Sequence, residues 1–221
     1  MVAATSTRQD FQDLFSLYML VAGIVIVLVL GAIAYAVVRY RRREGAAPHE
    51  VRGLRPLEGV WIVLLSATVV LLLVSTFRTE DRVDAVADDP AQTVRVTAFQ
   101  WGWRFSYPGT GVSVTGNSQR LPVLVVPAGV PVRLELSARD VIHAFWIPEL
   151  RFKRDAFPNR VTDFDLVFDP GVTTTGRCAE FCGLGHDRMD FQVVSMSPDG
   201  FARWLRSRGR RAAPAPPGGS A

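Results

Sequence analysis

The stretch Leu14–Val38, LFSLYMLVAGIVIVLVLGAIAYAVV, sets the terms on which the rest of the chain must be read, together with its counterpart Gly59–Phe77, GVWIVLLSATVVLLLVSTF. Neither carries a formal charge. A helix needs about 20 apolar residues to cross a hydrocarbon core of about 30 Å, and it satisfies every backbone amide within its own segment. Two spans are therefore predicted, over about 14–38 and 57–77. The alternatives are a buried core helix for either run and a signal peptide for the first. A signal peptide fits poorly, because the run is longer than an h-region and no small-residue cleavage pattern closes it. Its leading flank also holds Arg8 beside Asp10 and Asp13.

Working outward, the connector 39–56 contains Arg39, Arg41, Arg42, Arg43, Arg52 and Arg55, against Arg8 alone before the first run. Positive residues stay on the cytoplasmic side, so the loop is expected inside. Both termini and the bulk of the chain are then outside, which in a bacterium is the outer face of the plasma membrane. The organisation that follows is an outer segment 1–13, a helical hairpin 14–78, an extracytoplasmic domain 79–207 and a disordered tail 208–221, rich in Pro, Gly and Ala.

The net charge of +4 divides unevenly. Between Glu80 and Gly200 there are 12 Lys and Arg against 16 Asp and Glu, so the outer domain is near −4. The positive surplus sits in the connector and in Arg203, Arg206, Arg208, Arg210 and Arg211. No basic surface for nucleic acid remains. An acidic outer domain suits a basic partner, since complementary fields raise encounter rates.

From Gln92 the period becomes two: Val94, Val96 and Ala98 alternate with Thr93, Arg95 and Thr97, and Val132, Leu134 and Leu136 with Arg133 and Glu135. Further short runs at Leu121–Val126, Val141–Ile147, Asp163–Phe168 and Phe191–Met196 are separated by turn residues such as Pro108-Gly109, Gly116-Asn117 and Asp169-Pro170-Gly171. An antiparallel sandwich or barrel is predicted, closed by a short helix near Pro198–Arg208.

The chain has 2 cysteines and 3 histidines. Cys178, Cys182 and His186 repeat at intervals of four, Met189 follows, and His143 lies on an earlier strand. Thiolate, thioether and imidazole together favour copper over harder ions. Alternatives stay open: a disulfide between the cysteines on an oxidising face, a zinc site, a Met in core packing, or a core histidine at 143. A mononuclear blue-copper site uses one Cys, two His and a weak Met, which leaves the second Cys without a task. Two thiolates bridging two copper ions would use every ligand.

Cys178–Met189, CAEFCGLGHDRM, resembles the CuA loop of cytochrome c oxidase subunit II. Asp140–Leu150, DVIHAFWIPEL, resembles its first-ligand segment, and Gln100–Phe105, QWGWRF, its aromatic stretch. With the hairpin, the resemblance runs from about Asp10 to Arg206. It implies a membrane-anchored all-β fold, a two-helix transmembrane hairpin followed by a cupredoxin-like Greek-key domain. It also implies a dinuclear copper centre held by His143, Cys178, Cys182, His186, Met189 and the backbone carbonyl of Glu180. The Glu180 carboxylate would then face a magnesium ion at the interface with the catalytic subunit. Trp101 corresponds to the aromatic residue where electrons enter from cytochrome c, Glu58 to an acid at the mouth of a proton path, and Asp155 to an interface acid near haem propionates. Leu65 stands where many relatives carry proline. Implied partners are catalytic subunit I, a third subunit, a soluble or tethered cytochrome c, and lipid. Glu58 has a second reading as a helix-start acid favoured by the dipole, and Trp101 one as packing.

Three other functions fit parts of this pattern. A quinol-oxidase subunit II shares the architecture without the copper ligands. A membrane-tethered copper-binding protein would need no catalytic partner. A nitrous-oxide-reductase domain shares the loop but is joined to a large catalytic domain. Cys-x-x-Cys-His is absent from the sequence, so no c-type haem is expected in this chain. Small residues Gly23, Gly31, Ala32 and Ala34 on the first run are expected to pack against the catalytic subunit.

Overall fold

The protein is described here by a computed structural model covering residues 7–41 and 55–212. It divides into two compact units: Phe11–Glu80, and the β-rich part from Asp81 onward with the N-terminal residues to Asp10. The helical unit is built from α1 (Thr7–Arg39) and α2 (Arg55–Val83). At 1.5 Å per residue they are about 50 and about 44 Å long, longer than a hydrocarbon core. Their apolar side chains stand exposed on all sides, which is the pattern of helices solvated by lipid. The few polar groups are satisfied internally: Thr68, Ser75 and Thr76 donate to the carbonyls of Leu64, Leu71 and Leu72. Tyr18 Oη and Thr76 Oγ1, 2.8 Å apart, tie one helix to the other. Most of the arginine-rich connector, with Arg42, Arg43 and Arg52, lies outside the described residues.

The second unit is a sandwich of two five-stranded sheets. Its strands are β1 (Gln92–Phe99), β2 (Gly102–Tyr107), β3 (Val112–Asn117), β4 (Val123–Pro127), β5 (Pro131–Ala138), β6 (His143–Ile147), β7 (Phe152–Ala156), β8 (Thr162–Val167), β9 (Thr173–Cys178) and β10 (Asp190–Met196). One sheet has the order β3-β2-β1-β5-β8 and the other β4-β10-β9-β6-β7. The alternation read from the sequence is realised: Val94, Val96 and Ala98, then Val132, Leu134 and Leu136, all face inward. The sheets are mixed rather than antiparallel throughout, because β1 runs parallel to β5 and β4 parallel to β10. Between β1 and β5 the chain visits the other sheet at β4 and returns, a crossover that restores its direction. Helix α3 (Pro198–Ala212) closes the domain. It continues past residue 208, where the sequence suggests a tail, and residues 213–221 lie outside the described part.

The core is aromatic beneath the end of the sandwich where β6 begins and β9 ends. Phe145 stacks on Phe191 at 4.8 Å, and the Trp103 ring meets both edge-on at 5.7 and 5.2 Å. A Cβ on Gly176 would lie 2.1 Å from the Phe191 ring, so β9 can approach this cluster only with glycine there. Buried Tyr107 bridges the sheets, donating to the Val125 carbonyl at 2.8 Å and accepting from its N–H at 2.9 Å. Burial raises the Tyr107 phenol well above its ordinary value of 10.0, against the opposing effect of the bond to Val125.

Candidate metal centre

The residues singled out by type converge at that aromatic end. His143 opens β6, Cys178 closes β9, and Met189 directly precedes β10. β6 and β9 are paired through Phe145 and Cys178. Backbone bonds close the loop between β9 and β10: Cys178 N–H to Met189 O at 3.1 Å, Ala179 N–H to Ala144 O at 3.1 Å, and His186 N–H to Gly183 O at 3.1 Å. Gly183 has φ +113°, a region that favours glycine, and a Cβ on Gly185 would fall 2.6 Å from the Trp101 ring. The loop is therefore fastened on one side to the sheet and on the other to an indole.

The two sulfurs lie 3.9 Å apart and both thiols are free; a disulfide would need about 2.05 Å. Cys178 Sγ is 3.9 Å from His143 Nδ1 and 3.3 Å from the Glu180 carbonyl oxygen. Cys182 Sγ is 3.7 Å from His186 Nδ1 and 3.8 Å from Met189 Sδ. With bonds of about 2.3 Å to sulfur and about 2.0 Å to nitrogen, ligands of a tetrahedral ion lie roughly 3.5–3.8 Å apart. The donor spacing fits metal between the sulfurs, and soft donors with imidazole favour copper. Two ligands of one ion can be at most about 4.6 Å apart at such bond lengths. His143 and both sulfurs fall within 4.8 Å of one another, and His186 stands outside that group. His186 lies beside Cys182 and also hydrogen-bonds Cys178, whose other imidazole neighbour is His143.

Burial opposes ionisation of both thiols. For Cys178 it is outweighed by hydrogen bonds from His143 and from the backbone beside Ala144, and its pKa falls to about 6. For Cys182 burial and the neighbouring Cys178 charge act together and push it up to about 12.

Two residues given no role in the sequence reading support this centre. Asp140 Oδ1 lies 2.9 Å from His143 Nε2 and accepts the Val141 N–H at 2.8 Å, while Oδ2 accepts the Gln100 N–H at 2.8 Å. Burial works to raise its pKa, but these three bonds hold the carboxyl below its ordinary value. Gln100 Nε2 donates to the Cys182 carbonyl at 2.7 Å, and Trp101 Nε1 donates to the same oxygen at 3.2 Å. Trp103 Nε1 donates to the Met189 carbonyl at 3.1 Å. The Asp-x-x-His spacing was the available signal for Asp140; Gln100 had none beyond its place in the aromatic stretch.

Glu58 is in the first turn of α2 and exposed. Asp155 is on β7, opposite Ala144 of β6, and its Oδ1 is buried with no hydrogen-bond partner among the described residues. The Glu180 side chain is exposed while its carbonyl turns inward.

Comparison with known proteins agrees with this geometry. Residues 1–79 match the family of cytochrome c oxidase subunit II transmembrane domains, and residues 115–196 that of the periplasmic domains. Cytochrome c oxidase subunit 2 of Corynebacterium diphtheriae is 31% identical over 73% of this chain and 60% of its own. That of Corynebacterium glutamicum is 29% identical over 76% of this chain and 62% of its own. The chain thus spans about three fifths of the length of these relatives. The crystal structure of the periplasmic domain of subunit II of cytochrome oxidase from Bradyrhizobium japonicum is 26% identical, with a TM-score of 0.52, over 58% of this chain and 100% of that domain. The fold is two apolar helices followed by a cupredoxin-like β-domain, and the chain belongs to the cytochrome c oxidase subunit II family.

Proposed function

We propose that this chain is the electron-accepting subunit of a haem–copper terminal oxidase. It takes electrons from cytochrome c and delivers them to the haems of a catalytic subunit that reduces oxygen and pumps protons. The observation that carries this reading is the pair of free thiols, 3.9 Å apart, with an imidazole nitrogen within 3.9 Å of each. Two copper ions held by His143, Cys178, Cys182, His186, Met189 and the Glu180 carbonyl would supply a one-electron carrier with charge shared between both metals. The protein's part is to fix the ligands: sheet pairing holds Cys178, the Asp140 carboxylate orients His143, and the aromatic core backs Met189. Such a shell changes little between redox states, which suits electron transfer rather than bond chemistry.

Trp101 rests on Gly183 and Gly185 and donates to the Cys182 carbonyl, so a donor docked at its exposed edge meets a short bonded path into the ligand shell. Phe181 and Leu184 on the loop are 78% and 89% exposed, apolar residues of the kind that protein partners cover. The exposed Glu180 carboxylate is free to join a magnesium ion at the catalytic subunit. The orphaned Asp155 Oδ1 suits a donor from that subunit. Glu58 is assigned to the mouth of a proton path. Gly23 and Gly31 have no atom within 4 Å of where a Cβ would stand, leaving flat places on α1 for helices of the catalytic and third subunits. The arginine-rich composition of the connector supports a β-domain on the outer face of a bacterial plasma membrane. A copper-free quinol oxidase subunit or a simple tethered copper carrier would have no use for this complete ligand set beside Trp101.

The test is stopped-flow reduction of the copper-loaded full chain by cytochrome c. Trp101→Ala should slow reduction at least tenfold with copper content unchanged. Equal rates would remove Trp101 from the path, and copper loss would make it a structural support.

A further inference from the structure

On one side of the sandwich both sheets end in free edges, since β3 is outermost in one and β4 in the other. Helix α3 packs on both strands. Phe201 is buried, Trp204 and Leu205 pack on the core, and the Trp204 ring meets Tyr107 at 5.1 Å. The apolar side of this amphipathic helix is thereby occupied, so α3 is not a membrane-surface helix. Its arginines are left to another purpose.

Between α3 and the two edges lies a cleft of about 310 Å³, lined by Ser113, Thr115, Arg120, Pro122, Trp204 and Arg208 among others. No carboxylate lines it. Arg104, on the neighbouring strand, reaches its rim by donating from Nε to Thr115 Oγ1 at 3.1 Å. Among the described residues, Arg104, Arg120 and Arg208 form no ion pair, whereas Arg8, Arg95, Arg133 and Arg154 each do. Three guanidiniums without an ion pair thus surround one hollow that has no carboxylate in its lining. Arg120 is also held in place: its backbone N–H and carbonyl bond Asn117 at 3.2 and 3.0 Å. A Cβ on Gly116 would come within 2.2 Å of the Arg120 carbonyl, so glycine lets that turn close against the strand.

We infer that this cleft is a binding site for a phosphate ester. Forked guanidiniums with adjacent hydroxyls match the oxygens of a phosphate group, and Trp204 with Pro122 gives a short organic stem an apolar floor. The volume admits a headgroup-sized ligand and excludes a folded partner. The same chemistry is carried by a soluble phosphate ester and by the headgroup of phosphatidylglycerol.

The test uses the full chain in nanodiscs. In phosphatidylcholine discs, glycerol 1-phosphate is titrated calorimetrically; in discs containing phosphatidylglycerol, lipid retained per chain is counted by native mass spectrometry. Saturable binding near one per chain is expected in one arm, and the arm identifies the source. Arg120→Gln with Arg208→Gln should weaken it at least tenfold. Arg203→Gln with Arg206→Gln removes the same charge from the exposed face of α3 and should leave it within twofold. Copper content and circular dichroism check that each variant is folded, and Arg208→Gln alone replaces the double variant if that one is not. No saturable binding in either arm, or equal weakening by both pairs of substitutions, overturns the inference.

Discussion

Asp140→Asn probes the ligand shell without changing its shape. A carboxylate oxygen 2.9 Å from Nε2 makes that nitrogen the donor and leaves the Nδ1 lone pair facing Cys178 Sγ at 3.9 Å. The carboxylate also accepts the backbone N–H groups of Val141 and Gln100. An asparagine keeps one acceptor oxygen, so its amide nitrogen must face either His143 and Val141 or Gln100, donor against donor. The loss is one charged hydrogen bond, worth about 1.5–3 kcal/mol, if the nitrogen faces Gln100, and two if it faces His143 and Val141. If it falls on His143, the ring is no longer fixed in the ligating tautomer and copper affinity should drop by about tenfold to hundredfold. The assay is copper competition against a chelator of known affinity at neutral pH, where the Asp140 carboxyl, held below its ordinary value, is ionised in the parent. Affinity within twofold of the parent in both Asp140→Asn and Asp140→Ala, the second of which leaves His143 no acceptor, would refute the idea that Asp140 sets the orientation of His143.

Two further predictions concern the scaffold. Gly176→Ala places a methyl 2.1 Å from the Phe191 ring and should cost about 1–3 kcal/mol in chemical denaturation; an unchanged midpoint would show the cluster to be loose. Tyr107→Phe leaves the Val125 N–H and carbonyl unpartnered and should cost about 1–3 kcal/mol. Because the folded state holds the phenol above 10.0, the unfolded chain loses that proton first as pH rises. Tyr107 therefore contributes stability that is full below pH 10 and declines above it, and the difference between parent and Tyr107→Phe should shrink from pH 9 to 11. A constant difference would contradict this.

Much of the molecule was legible because its signals are local. A charge-free run long enough for a bilayer, period-two alternation and the cluster from Cys178 to Met189 each lie within one segment. The mixed pairing of the sheets was not, since alternation identifies a strand and says nothing of its neighbour; β1 beside β5 depends on an excursion through the other sheet. Arg208–Ala212 read as the start of a tail because Gly209 and the following Ala-Pro composition weaken helix propensity, yet the helix anchored by Phe201 and Trp204 carries on through them. The supports of the metal centre were the least visible part. Gln100 meets the Cys182 carbonyl from 82 residues away, and Asp140 alone looks like any turn aspartate until the fold sets it against His143.

The central claim is that both sulfurs share two copper ions. The copper-loaded chain should contain two coppers, and its electron spin resonance should show one unpaired electron coupled equally to both nuclei. One copper per chain with a single-nucleus pattern, or a Cys178–Cys182 disulfide with no bound copper, would contradict the account.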